Sequence, residues 1–93
     1  MFYFTFSRIY WTNMKLIISN RIRNYRFENN EMTQEQLANS VGCSRQTIVS
    51  IEKNRIIPSL ELAFRISSVF KKNVEDVFQY SGDKRFTIFE KLD

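Results

Sequence analysis

The sequence predicts an all-α domain of five short helices. Only 2 Gly and 1 Pro occur in 93 residues, too few for the tight turns of a many-stranded sandwich. Between about Ser19 and Gln79 apolar residues recur at spacings of three and four, the period of a helix with one buried face. Thr33, Ser44, Ser59 and Asn73 each stand directly before an apolar stretch, where a helix N-cap is wanted.

The first helix is expected over about Ser19–Asn29, with Ile22, Tyr25 and Arg26 on one face. Thr33 caps the second, Gln34–Val41. Gln36 completes a T-x-x-Q capping box, and Met32 is placed to staple onto Leu37. Gly42 follows, at the position where a left-handed residue closes a helix. Ser44 caps a third helix, Arg45–Lys53, with Ile48 and Ile51 inward and Asn54 ending it. Past Pro58, Ser59 caps a fourth helix, Leu60–Phe70, whose Leu62, Ala63, Ile66, Val69 and Phe70 supply core. Asn73 caps a short fifth helix, Val74–Gln79, with Asp76 in its first turn, where the helix dipole favours an anion. Val74, Val77 and Phe78 close the core.

The two ends differ from this pattern. Phe2, Phe4 and Phe6 alternate with Tyr3, Thr5 and Ser7, the period of a strand. RFTIFEKL, residues 85–92, alternates too, with Phe86, Ile88 and Glu90 on one side and Thr87 and Phe89 on the other. Two readings stand side by side. In one, residues 1–13 lie upstream of a natural start at Met14. In the other, a short N-terminal strand pairs with the tail, within one chain or between two. The chain thus divides into an N-terminal extension (1–13), a helical domain (14–80) and a tail (81–93). An aromatic patch on the first segment would favour self-association.

One Cys and no His exclude a disulfide framework and His-based acid–base catalysis, and leave no Cys/His metal site. No clustered carboxylates and no glycine-rich phosphate loop are present, so no enzyme, cofactor or small-molecule effector is expected. Cys43 reads as a turn residue without redox duty. No apolar run approaches the roughly 18 residues that cross a bilayer, and the first residues lack the parts of a signal peptide. The net charge is +4. It is concentrated in residues 14–58, where Lys15, Arg21, Arg23, Arg26, Arg45, Lys53 and Arg55 face Glu28, Glu31, Glu35 and Glu52. Residues 59–93 carry six charges of each sign. Such an excess suits a polyanionic partner.

The second and third helices are joined by Gly42 and Cys43 alone, with Ser44 as cap. Helix, glycine turn, capped helix is the helix-turn-helix arrangement, which turns the N-terminus of its second helix outward. The run TQEQLANSVGCSRQTIVSIEKNRIIPSLELAFRISSVF, residues 33–70, resembles the Xre or lambda-repressor-like helix-turn-helix family, in particular its short single-domain regulators. The resemblance extends over about residues 20–80. Asn54 stands where many members have Gly.

The resemblance implies a five-helix lambda-repressor-like domain that binds double-stranded DNA. Arg45, Gln46 and Ser50 match base-reading positions, with Val49 beside them for a thymine methyl. Gln34, Ser44 and Thr47 match phosphate contacts. Arg55 is placed for a phosphate, as are Lys53 and Arg21. Arg26 and Glu52 match a structural salt bridge between the first and third helices. The function implied is a transcriptional regulator, a repressor acting as a homodimer on a palindromic operator, in the cytoplasm and on the nucleoid. The rival reading is an antitoxin-like or adaptor module that holds a protein partner through its termini and binds DNA secondarily.

Overall fold

The structure, a computed structural model, describes residues 16–82. In chain order it runs β1 (Leu16–Asn20), α1 (Ile22–Glu28), α2 (Gln34–Val41), α3 (Arg45–Glu52), α4 (Leu60–Val69), α5 (Val74–Val77) and β2 (Phe78–Gly82). The five expected helices are present. A two-stranded sheet, β1 with β2, joins them. The helices belong to one compact unit over residues 18–79. The alternating segments at residues 1–13 and 85–92 lie outside the described residues.

Three helices end one residue earlier than expected, at Glu28, Glu52 and Val69; two boundaries differ by more, and each of these has a local cause. Ser19 and Asn20 belong to β1. The Asn20 side chain accepts the backbone N–H of Ile22 at 3.2 Å, so the chain turns before the helix begins. The fifth helix stops at Val77, and Phe78 is extended. The Gln79 amide donates to the carbonyls of Asp76 (2.7 Å) and Glu75 (3.3 Å), taking up carbonyls left open at the helix end. The N–H of Arg21 donates to Val77 O at 2.8 Å, which ties the start of α1 to the end of α5.

The caps follow their chemistry. Thr33 Oγ1 accepts Gln36 N–H at 3.0 Å while Gln36 Oε1 accepts Thr33 N–H at 2.9 Å. Ser44 and Ser59 accept the third N–H of their helices at 3.1 Å each. Gly42 takes the left-handed conformation at φ 80°, and Asn54, where α3 ends, takes it at φ 58°. Asn tolerates that region better than most side chains.

The core is aliphatic. Ile22, Leu37, Ile48, Ile66 and Val77 are wholly excluded from solvent, with Ile51, Ala38 and Val41 beside them. Phe70 joins this cluster and stacks obliquely on Tyr25, ring centroids 5.7 Å apart. Met32, Leu62, Val69 and Phe78 pack at its edge. The buried Ser67 hydroxyl donates to Ala63 O at 2.9 Å, so it leaves no unpaired polar atom.

Leu37→Ala is expected to lose about 2–5 kcal/mol of unfolding free energy, as deletion of a fully buried side chain does. Thr33→Ala is expected to lose about 1 kcal/mol. Urea titration followed by circular dichroism measures both, with the m value unchanged in each.

Candidate nucleic-acid interface

The turn between α2 and α3 is set by backbone geometry. Gly42 and Cys43 both donate to Ala38 O, at 2.9 and 3.0 Å, which stops α2 and reverses the chain. The Ser44 hydroxyl then serves α3 from outside, accepting Thr47 N–H and lying 2.9 Å from Thr47 Oγ1. Ile48 and Ile51 anchor the inner face of α3. The periodicity of a helix therefore turns Arg45 and Gln46 outward, where both are exposed, with Val49 and Ser50 half-buried beside them.

A chain of polar contacts runs from the core to this surface. Arg26 of α1 donates from Nε to Glu52 Oε2 at 2.7 Å and from Nη2 to Oε1 at 3.1 Å, across α1 and α3. Both side chains are about nine-tenths buried. Glu52 Oε1 also accepts from Gln34 Nε2 at 3.3 Å. Gln34 Oε1 in turn accepts from Arg45 Nη2 at 3.3 Å. These partners fix the Gln34 amide: a carboxylate only accepts and a guanidinium only donates, so nitrogen faces Glu52 and oxygen faces Arg45. The outermost member of the chain, Arg45, is exposed.

The other expected site residues divide. Gln34, Arg45 and Lys53 line one open groove with Arg23 and Asn24 of α1, and the Arg26–Glu52 pair borders it. Arg55 follows the left-handed Asn54, is exposed, and has its N–H held by Ser50 O at 2.9 Å. Arg21 is exposed but stands at the seam of α1 and α5 and does not line that groove.

Sequence reasoning missed Asn20. Its Nδ2 donates to Ile51 O at 2.9 Å and to Asn54 Oδ1 at 3.2 Å. The residue that starts α1 thereby also ties down the last turn of α3. An Asn two places before a helix is a turn signal legible in sequence; its reach across 31 residues is not. Arg23 was missed as well. It lies over the exposed Phe27 ring, 5.7 Å from its centroid, at the α1 wall of the groove.

Cys43 sits in the turn itself, half-buried against the core. Burial pushes its thiol above the ordinary range. Among the described residues no group of His, Cys, Asp and Glu is placed to hold a metal ion, and no helix is long and apolar enough to cross a membrane.

This outward helix, capped and held at both ends on a small aliphatic core, defines a helix-turn-helix protein. A family model described as Helix-turn-helix matches residues 22–77. An HTH-type transcriptional regulator of Methanocaldococcus jannaschii is 46% identical over 67 residues, covering 72% of this chain and 100% of that protein. One from Archaeoglobus fulgidus is 45% identical over 64 residues, 69% of this chain and 89% of that protein. The regulator YgzD of Bacillus subtilis is 48% identical over 46 residues, 50% of this chain and 70% of that protein. The chain belongs to the helix-turn-helix family of DNA-binding transcriptional regulators.

Glu52→Ala leaves the Arg26 guanidinium buried without its carboxylate. The expected loss is about 3–5 kcal/mol, read as a lower urea midpoint. Cys43 is expected to react with iodoacetamide at pH 8 more slowly in the folded chain than in urea, because the thiolate is the nucleophile. Equal rates would show that burial does not suppress it.

Proposed function

We propose that this chain is a sequence-specific repressor that lays α3 in the major groove of double-stranded DNA and works as a homodimer on a palindromic operator. The observation that carries the reading is the chain of contacts ending at Arg45. The exposed guanidinium at the start of α3 is oriented by Gln34, which is oriented by a buried ion pair. A solvated surface arginine needs no such support.

Each residue has a chemistry suited to the task. Arg45 can bond guanine through two nitrogens and Gln46 can bond adenine through its amide, each discriminating by roughly 1–3 kcal/mol. Ser50 and the Val49 methyls lie farther along the same face. Gln34 Nε2 spends one hydrogen on Glu52 and has a second for a phosphate. Ser44 and Thr47 stand where the free amides and dipole of the α3 N-terminus also attract phosphate. Lys53 and Arg55 supply charge at the other end of α3, where a backbone phosphate can follow, and Arg21 is the outlying candidate. Blocking polymerase access is the simplest form of such repression.

The test is selection from a randomised duplex pool. Enrichment of an inverted repeat with half-sites about 34 Å apart supports the two-fold arrangement. Salt-sensitive binding without enrichment overturns sequence specificity. On the selected site, Arg45→Ala and Gln46→Ala are each expected to weaken binding by about 1–3 kcal/mol and to relax preference at one base position. Arg55→Ala is expected to weaken all duplexes alike and to lower the salt slope by about one. If the Arg45 and Gln46 variants keep full sequence preference, base reading lies elsewhere.

A further inference from the structure

We infer that Asn20 is a positioning residue for DNA binding: its amide clasps the end of α3 and so sets where Arg55 and Lys53 meet the DNA backbone. The inference rests on the reading that these two cations contact phosphate. It adds a residue from outside the helix-turn-helix, the last of β1.

The end of α3 is a tight reversal. It closes as a Schellman motif around the left-handed Asn54. Asn54 N–H donates to Ile51 O and Arg55 N–H donates to Ser50 O, each at 2.9 Å. Arg55 is the first residue past the reversal, so the course of its backbone follows the φ and ψ of Asn54. Lys53 stands one place before. Glycine meets the backbone demand of such a position at the least cost. An asparagine there brings what glycine lacks, a side-chain oxygen, and that oxygen faces Asn20.

The Asn20 amide is committed on every side. Oδ1 accepts Ile22 N–H at 3.2 Å. Nδ2 donates to Ile51 O at 2.9 Å and to Asn54 Oδ1 at 3.2 Å. A backbone N–H only donates and a carbonyl only accepts, so these partners fix which way the amide faces. With both hydrogens taken, Asn20 keeps no donor for a phosphate, although it lines the groove with Lys53. Its effect on DNA therefore passes through what it holds. Ile51 O is held from two sides, by Asn54 N–H and by Asn20. Ile51 is buried, whereas Lys53, Asn54 and Arg55 are all exposed, so burial does little to fix them. The clasp ties this exposed tip to the start of α1. Without it the tip frays, and the entropy of ordering counts against each phosphate contact made there.

The test uses the full chain, with affinity for the selected site and for unrelated duplexes read by fluorescence anisotropy over a range of salt. Asn20→Ser keeps an oxygen for Ile22 N–H and is too short to reach Ile51 O. It is expected to weaken every duplex about three- to tenfold, to lower the salt slope by about one and to leave base preference unchanged. In that background Arg55→Ala is expected to weaken binding by less than a further twofold or so, against its full effect in the wild type. Asn20→Asp keeps the shape and the acceptor but has no N–H to donate. In both Asn20 variants the NMR order parameters at Asn54 and Arg55 are expected to fall from about 0.85 toward 0.6, with α2 unchanged. A merely structural role lowers the urea midpoint and moves neither slope nor local order. An unchanged slope, with Arg55→Ala weakening binding by the same factor in both backgrounds, overturns the clasp and leaves the phosphate contacts standing. Unchanged order parameters in both variants overturn it as well. No loss on Arg55→Ala in the wild type overturns the Arg55 contact itself, and the inference with it.

Discussion

The Arg26–Glu52 ion pair is the constraint on which the rest of the arrangement depends. Two opposite charges, both largely removed from water, join α1 to α3. Burying them carries a desolvation cost that their attraction only partly offsets, so such a pair is weak evidence for stability. Its value lies in direction. Glu52 has two oxygens, and each is given a donor: Nε on one, Nη2 and the Gln34 amide on the other. An aliphatic pair of equal volume would pack α1 on α3 as firmly. It would leave the Gln34 amide free to turn over, and with it the oxygen that holds Arg45.

The same guanidinium holds the connection between α1 and α2. Asn30 and Glu31 both adopt positive φ, 57° and 53°. A left-handed Glu is uncommon and costs energy. The turn persists because Arg26 meets it twice. Its carbonyl accepts Met32 N–H at 2.8 Å, and its Nη1 donates to Met32 O at 2.7 Å. Met32 is thereby delivered to the core edge and Thr33 to its cap. One buried arginine thus fixes where α2 begins, how α3 is rotated and which way Gln34 faces.

What could be read from the sequence was whatever depends on near neighbours. The helices over Gln34–Val41 and Leu60–Val69 were legible because cap, period and terminator all fall within a dozen residues. Gly42 and Asn54 were legible because few residues accept a left-handed backbone. Ser19 and Asn20 were read as helix because their strand character depends on β2, nearly sixty residues away, and on an amide that intercepts the N–H of Ile22. Phe78 and Gln79 were read as helix for the same reason, the apolar period running on past the point where pairing takes over. Asn20 shows the limit most clearly. Its turn-forming tendency is local, but its hold on Ile51 and Asn54 exists only after α1 and α3 have packed.

The length of α3 bears on how such a chain can be specific at all. Eight residues rise about 12 Å, and base pairs repeat every 3.4 Å, so the helix passes only three or four pairs. At about 1–3 kcal/mol per correct pair, one copy discriminates by roughly 3–12 kcal/mol, a range that straddles the roughly 8 kcal/mol set by 10⁶ competing sites in a genome. Phosphate contacts raise affinity for every duplex and do nothing for the ratio. A second α3 reading a second half-site roughly doubles the discriminating free energy. That doubling is available only if something fixes the two helices relative to each other, and the core of a single unit, whose buried side chains are committed inward, does not supply it.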